Sequence, residues 1–183
     1  MKNHSACMTL KQEEIQKMKR VQDIYRHPYF QKCLENNRKA EESRVFCRHD
    51  MGHFMDVARL AYVFSMERGY QLEKEEIYAA ALLHDIGKWR QYSEGVPHEQ
   101  ASAGIAEGIL TDTGYGKEEK ERILTAILNH RRKAQVQLSV KTGSDLLSEV
   151  LYDADKISRS CYACPAEKEC NWNKEKKNLE ILW

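Results

Sequence analysis

The chain has 183 residues, 42% of them hydrophobic and 31% charged, which suits one substantial core under a water-facing surface. Its 29 basic and 28 acidic side chains leave a net charge of +1, which lends nucleic-acid binding no support. No apolar run is long enough to span a bilayer and residues 1–20 hold no apolar secretory core, so the expected setting is the cytoplasm, with no membrane partner. Six cysteines in that setting read as reduced thiols or metal ligands rather than structural disulfides.

Three prolines, nine glycines and recurrent 3.6-type spacing without sustained alternation predict an all-α chain. Residues 10–26 predict an amphipathic helix striped by Leu10, Ile15, Met18, Val21 and Ile24, which His27-Pro28 ends. A short helix over 29–36 is expected next, then a charged connection through Arg38, Lys39, Glu41, Glu42 and Arg44. From Asp50 onward His53, Val57, Leu60, Ala61 and Phe64 share one helical face, with Gly69 as its stop. A helix from about Glu73 stacks Ile77, Ala81 and His84. Gly87 breaks it, and 88–96 reads as a loop. Pro97 starts a helix whose face carries His98, Ser102, Ile105 and Ile109. After the Gly114–Gly116 turn, a helix from about Lys117 repeats the pattern with Ile123, Ile127 and His130. A polar loop through Gly143 and Ser144 precedes the last core helix, 145–159. The expected organisation is a compact single-domain helical bundle: an N-terminal helical segment (1–49) packs on a core (50–159), and a cysteine-bearing tail (160–183) follows.

His84-Asp85 is the most informative pair. It closes the apolar run Ile77–Leu83 and precedes Ile86-Gly87-Lys88, so an imidazole and a carboxylate stand at a buried helix end. That position is costly unless hydrogen bonds or a metal satisfy both groups. One histidine on an apolar face is ordinarily a core imidazole bonded to a carbonyl. Here four of them, His53, His84, His98 and His130, occupy the apolar faces of four successive helices. Imidazoles and carboxylates converging from facing helices build metal sites.

His53-x-x-x-Val57-Ala58, Ala81-Leu82-Leu83-His84-Asp85-Ile86-Gly87-Lys88 and Ala154-Asp155-Lys156-Ile157 together resemble the HD-domain metal-dependent phosphohydrolase superfamily. His98-Glu99-x-x-Ser102-Ala103 and Ala126-Ile127-x-x-His130 resemble the added histidines of its binuclear members. The resemblance implies a first metal on His53, His84, Asp85 and Asp155, with Asp85 bridging to a second on His98 and His130. The alternative leaves His98 and His130 as substrate-contacting or structural residues beside one ion. Helical periodicity slightly favours Asp153 over Asp155; the motif favours Asp155 and leaves Asp153 to the rim. Mixed nitrogen and oxygen donors suit Fe, Mn, Co, Ni or Zn.

The implied activity is hydrolysis by metal-activated water of a small phosphorylated metabolite, a nucleotide or dinucleoside polyphosphate, with Asp85 and Lys88 in the reacting centre. Arg48 and Arg131 are candidate phosphate contacts, and Arg44, His49 and Arg132 share their ambiguity with ordinary surface charge. Two alternatives stand beside this reading: a di-iron oxygenase on the same shell, and a non-catalytic metal- or redox-sensing module. The tail spacing Cys161-x-x-Cys164-x5-Cys170 suits a further Zn or Fe, with Cys47, Cys33 or Cys7 as fourth ligand; unliganded thiols are the other reading. Oligomeric state is not legible in the sequence.

Overall fold

In the computed structural model, which describes residues 17–131 and 141–181, the apolar stripes pair up as eight α-helices, with no strand among the described residues. They are α1 (Lys19–Arg26), α2 (Pro28–Ala40), α3 (Met51–Glu67), α4 (Lys74–Leu83), α5 (Lys88–Glu94), α6 (His98–Asp112), α7 (Lys117–Asn129) and α8 (Gly143–Ile157). The architecture is the expected all-α bundle.

Helix α4 is its axis. Every side chain from Glu76 to Leu83 is buried, as an all-round apolar helix must be. The small Ala79, Ala80 and Ala81 let neighbours approach closely, and α3, α7, α1, α8 and α6 all pack on it. Phe54, Phe64, Ile109, Ile123, Ile127 and Leu151 fill the spaces between these helices. The one charge inside this wall, Glu76, is neutralised by Arg122 in a two-pronged ion pair of 2.6 and 2.9 Å.

Local chemistry sets the helix ends. His27 terminates α1, and its Nδ1 accepts from the Tyr29 amide, which caps α2. Asp50 caps α3 by accepting from the His53 amide at 3.0 Å, fixing the first turn that carries that histidine. Thr142 and Asp145 form a reciprocal box at the start of α8.

Two segments depart from the sequence reading. Helix α2 runs on to Ala40, because nothing between Tyr29 and Ala40 breaks a helix and Glu35 pairs with Arg38 on its surface. The expected loop after Gly87 is α5. Gly87 caps a new helix, Lys88–Glu94 contains neither glycine nor proline, Arg90 pairs with Glu94 at i, i+4, and Gly95 at φ +71° provides the left-handed stop. The last core helix is also shifted to Gly143–Ile157. The Leu10 and Ile15 part of the first stripe lies outside the described residues.

Beyond α8 the chain folds back instead of trailing away. The Asn178 amide donates to the carbonyls of Lys156, Ile157 and Arg159 at 2.9–3.1 Å, and Lys177 holds both the carbonyl and the carboxylate of Glu167. Short 3-10 turns occur at Cys161–Ala163 and Lys174–Lys176. Among the described residues no helix is long and apolar enough to cross a membrane.

Candidate metal centre

The polar residues converge because each sits at or near a helix end. His53 is in the first turn of α3, His84-Asp85 follow α4, His98 opens α6, His130 follows α7, and Asp155 lies in the last turn of α8. His53, His84, Asp85 and Asp155 each present one ligand atom, all within 4.8 Å of one another, and Asp85, His98 and His130 form a second such set. The structure therefore brings together all six residues of the sequence-expected ligand sets.

The rings are held in one orientation. His84 Nδ1 donates to the Ala81 carbonyl at 2.7 Å, and His130 Nδ1 to the Ile127 carbonyl at 2.6 Å. A carbonyl only accepts, so each Nδ1 carries the proton and each Nε2 offers a lone pair to the centre. His98 Nδ1 faces the Gln91 side-chain oxygen, and its Nε2 lies 3.2 Å from His130 Nε2. Asp85 divides its oxygens between the sets. Oδ2 is 3.4 Å from His84 Nε2, whereas Oδ1 is 3.1 Å from His98 Nε2 and 3.6 Å from His130 Nε2. Asp155 turns Oδ1 toward His53 and His84 at 3.5 and 3.9 Å and gives Oδ2 to Lys156.

His53 Nε2, His84 Nε2 and Asp85 Oδ1 are buried without a hydrogen-bond partner. Each such atom costs about 1–3 kcal/mol when left bare, and three at one point are what a bound cation would satisfy. Protonation follows the same division. Burial pushes His53 down to about 4, with His84 adding to it, and pushes His98 down to about 4 against the pull of Asp85. Burial opposes ionisation of Asp85 and Asp155 too. Their neighbours together outweigh it, His84 and His130 foremost at Asp85 and Lys156 and His84 at Asp155, and both carboxyls stay well below the usual carboxylate range. His53 and His98, held neutral, face ionised carboxylates, while His84, which burial pushes down, is raised by Asp85 beside it and by Asp155; a divalent metal would take the place of that proton against the same carboxylates.

The HD domain family model matches residues 51–160. The chain belongs to the HD-domain family. It is 43% identical over 150 residues to an uncharacterized protein of Clostridium beijerinckii, an overlap of 82% of this chain and 90% of that one. In fold it is similar to the crystal structure of a predicted HD superfamily hydrolase from an uncultured Thermotogales bacterium, with a TM-score of 0.56 at 20% identity over 86% of each chain.

The remaining candidates of this HD-domain protein are spread around a cavity of about 1100 Å³ that opens onto the centre. Lys88 reaches inward, its Nζ 3.2 Å from His98 Nδ1, and burial lowers its pKa against the pull of Asp85. Arg44, Arg48 and Arg131 line the mouth. Arg48 donates to the carbonyls of Arg44 and Glu42, and Arg131 stands 3.6 Å from Glu99. Asp153, the periodicity favourite, points to Arg68 at 2.7 Å and takes no part in the cluster. Its face of α8 meets α3, whereas a step of two residues, about 200° around the helix, carries Asp155 to the polar cluster. Cys161, Cys164, Cys170 and Cys47 line the same cavity, while Cys33 is buried in the core; Cys7 and Arg132 lie outside the described residues. Among the described residues no set of three thiols reaches the 4.8 Å spacing of the His/Asp sets.

Sequence reasoning missed the support. Asn37, fully buried on α2, donates to the Asp85 carbonyl at 2.9 Å and accepts from the Trp89 amide at 2.8 Å, bracing the turn that bears the His-Asp pair. Glu41, also buried, receives His49 Nδ1 at 2.6 Å, the His49 amide at 2.7 Å and the Tyr92 hydroxyl at 2.7 Å. His49 Nε2 then lies 3.5 Å from Asp85 Oδ2, so His49 faces the centre and not an outer phosphate contact. The signal was present: Phe30, Cys33, Asn37 and Glu41 fall on one face once α2 is read through to Ala40.

Proposed function

We propose that this HD-domain protein is a metal-dependent phosphohydrolase acting on a small phosphorylated metabolite, a nucleotide or dinucleoside polyphosphate, with two divalent transition-metal ions. The observation that carries the reading is Asp85, whose two oxygens face two different imidazole sets. His53, His84, Asp85 and Asp155 would hold one ion; Asp85, His98 and His130 would hold the other. Such ions lower the pKa of water and polarise phosphoryl oxygens.

The protein's own residues orient the rest. The Ala81 and Ile127 carbonyls keep the imidazole lone pairs aimed inward, and Lys156 occupies the outer oxygen of Asp155. Two carboxylates against two dications leave the centre positive, and Lys88, Arg48 and Arg131 extend that sign along the cavity. This complements a polyanion. Lys88 is placed to donate to a phosphate oxygen close to Asp85, and the arginines to the more distant phosphates. The cavity volume accommodates a ligand of nucleotide size or larger.

The test is metal-stripped protein resupplied with Mn, Fe, Co or Ni and assayed against nucleotides and dinucleoside polyphosphates. Hydrolysis is expected, and His84→Ala should reduce it by more than ~100-fold, because removing even an outer-shell partner of a ligand costs 10–100-fold. Absence of any hydrolysis product, inorganic phosphate or the shorter nucleotides, with every metal, or a His84→Ala variant as active as the parent, overturns the reading. Oxygen-dependent turnover confined to the iron-loaded form replaces it with oxygenase chemistry.

A further inference from the structure

The tail is ordered without the means that usually order a short segment. Of residues 160–181, Ala166 alone is a buried apolar side chain. A stretch with so little core needs a staple, which in small folds is a disulfide or a metal. Its backbone is arranged around its cysteines. The Cys161 carbonyl accepts from the Cys164 amide, the Cys164 carbonyl from Glu167, and the Glu167 carbonyl from Cys170. Three successive i, i+3 turns thus link the three cysteines, with extended backbone at Cys164 between the first turn and the second.

Cys47, in the connection between α2 and α3, lines the same cavity. Burial pushes its thiol up most, Arg159 opposes that, and Cys161 and Cys164 are near enough to add smaller upward pushes. Two cations face the group. Arg159 acts on Cys47 and Cys161 while stacking 3.9 Å over the Trp172 ring, and Lys177, anchored on Glu167, acts on Cys161 and Cys170. Cys33 is in the core, away from this wall.

We propose that Cys47, Cys161, Cys164 and Cys170 hold an iron–sulfur cluster that fastens the tail over the metal-centre cavity. One Zn ion bonds every sulfur at about 2.3 Å and draws all four together, yet no three thiols among the described residues have closed to 4.8 Å. A cluster distributes its thiolates over different irons and so takes a wider ring of four cysteines. The four thiols lose their protons on binding, and Arg159 and Lys177 offset the resulting negative charge. The cysteines line the cavity that opens onto the His/Asp centre, and this proposal stands independently of the reaction proposed there.

The full-length protein is reconstituted anaerobically with ferrous and ferric iron in equal parts and sulfide, and iron and acid-labile sulfide are counted per chain. Wild type should bind labile sulfide with the broad sulfide-to-iron absorption, while Cys47→Ser and Cys161→Ser should each lose most of it with helical circular dichroism intact. His84→Ala should keep its sulfide in full, which separates the cluster from the catalytic centre. In limited proteolysis the two cysteine variants should be cut faster after residue 160. Wild type without labile sulfide, a sulfur-bound zinc ion in its place, or sulfide retained in Cys47→Ser overturns the proposal.

Discussion

Glu41 shows how one side chain conditions the centre without joining it. Its carboxylate is buried, and despite that burial its contacts with His49 hold its pKa down to about 2. An unfolded glutamate titrates near ~4.3. A folded-state pKa below that value means the ionised form stabilises the fold above pH ~4.3, and the contribution is lost as pH falls toward about 2. Glu41→Gln should therefore lower stability at neutral pH by about 1–3 kcal/mol, since it leaves the buried partners poorly satisfied. The gap between wild type and variant should shrink below pH ~4.3. Urea titrations of both proteins between pH 7 and pH 2 check this; a gap constant with pH would assign Glu41 no ionised role.

Among elements, the turn between α4 and α5 and its seat on α6 matter most. Gly87 has an ordinary negative φ, so conformational freedom is not its purpose. A Cβ there would stand 2.6 Å from the Ser102 amide nitrogen and 2.7 Å from the Ala101 carbonyl carbon. Those atoms are backbone and cannot turn aside. The Gly87 amide also donates to Ser102 Oγ at 3.0 Å, locking the turn to the first turns of α6. Gly87→Ala should cost about 1–3 kcal/mol by overpacking. Because α6 begins at His98, it should also weaken metal binding at the Asp85, His98 and His130 set. Chemical denaturation and metal titration of the variant measure the two effects, and an unchanged midpoint would show that α6 yields without penalty.

For the molecule as a whole, the site holds its bundle under a debt of bare polar atoms. His53, His84 and Asp85 each leave one buried atom unpartnered at the point where five helices meet. Metal at a hundredfold excess over its Kd should add about 2.7 kcal/mol to stability. Chelation should lower Tm measurably, and resupply should restore it. Asp85→Asn should abolish most of that response, because Asp85 belongs to both sets. Calorimetry with and without chelator decides the matter, and a Tm indifferent to metal would mean the centre is no structural ligand site. At this scale residues 17–49 belong with the core. The family match begins at residue 51, yet Asn37, Glu41 and His49 precede it and brace the His-Asp turn.

The sequence by itself determined the helical class, the positions of most helices and the six residues that converge, because period and motif are local properties written along one strand of text. It favoured Asp155 through its Ala-Asp-Lys setting against the slight pull of periodicity. Only the tertiary structure decided that Asp153 turns outward to Arg68 and that Asn37, Glu41 and His49 stand behind Asp85. Those outcomes depend on which face of one helix meets another, and on buried hydrogen bonds between residues up to 52 positions apart. No periodicity records such pairings. The same holds for the tail, where spacing showed three cysteines and folding set them, with Cys47, along one wall.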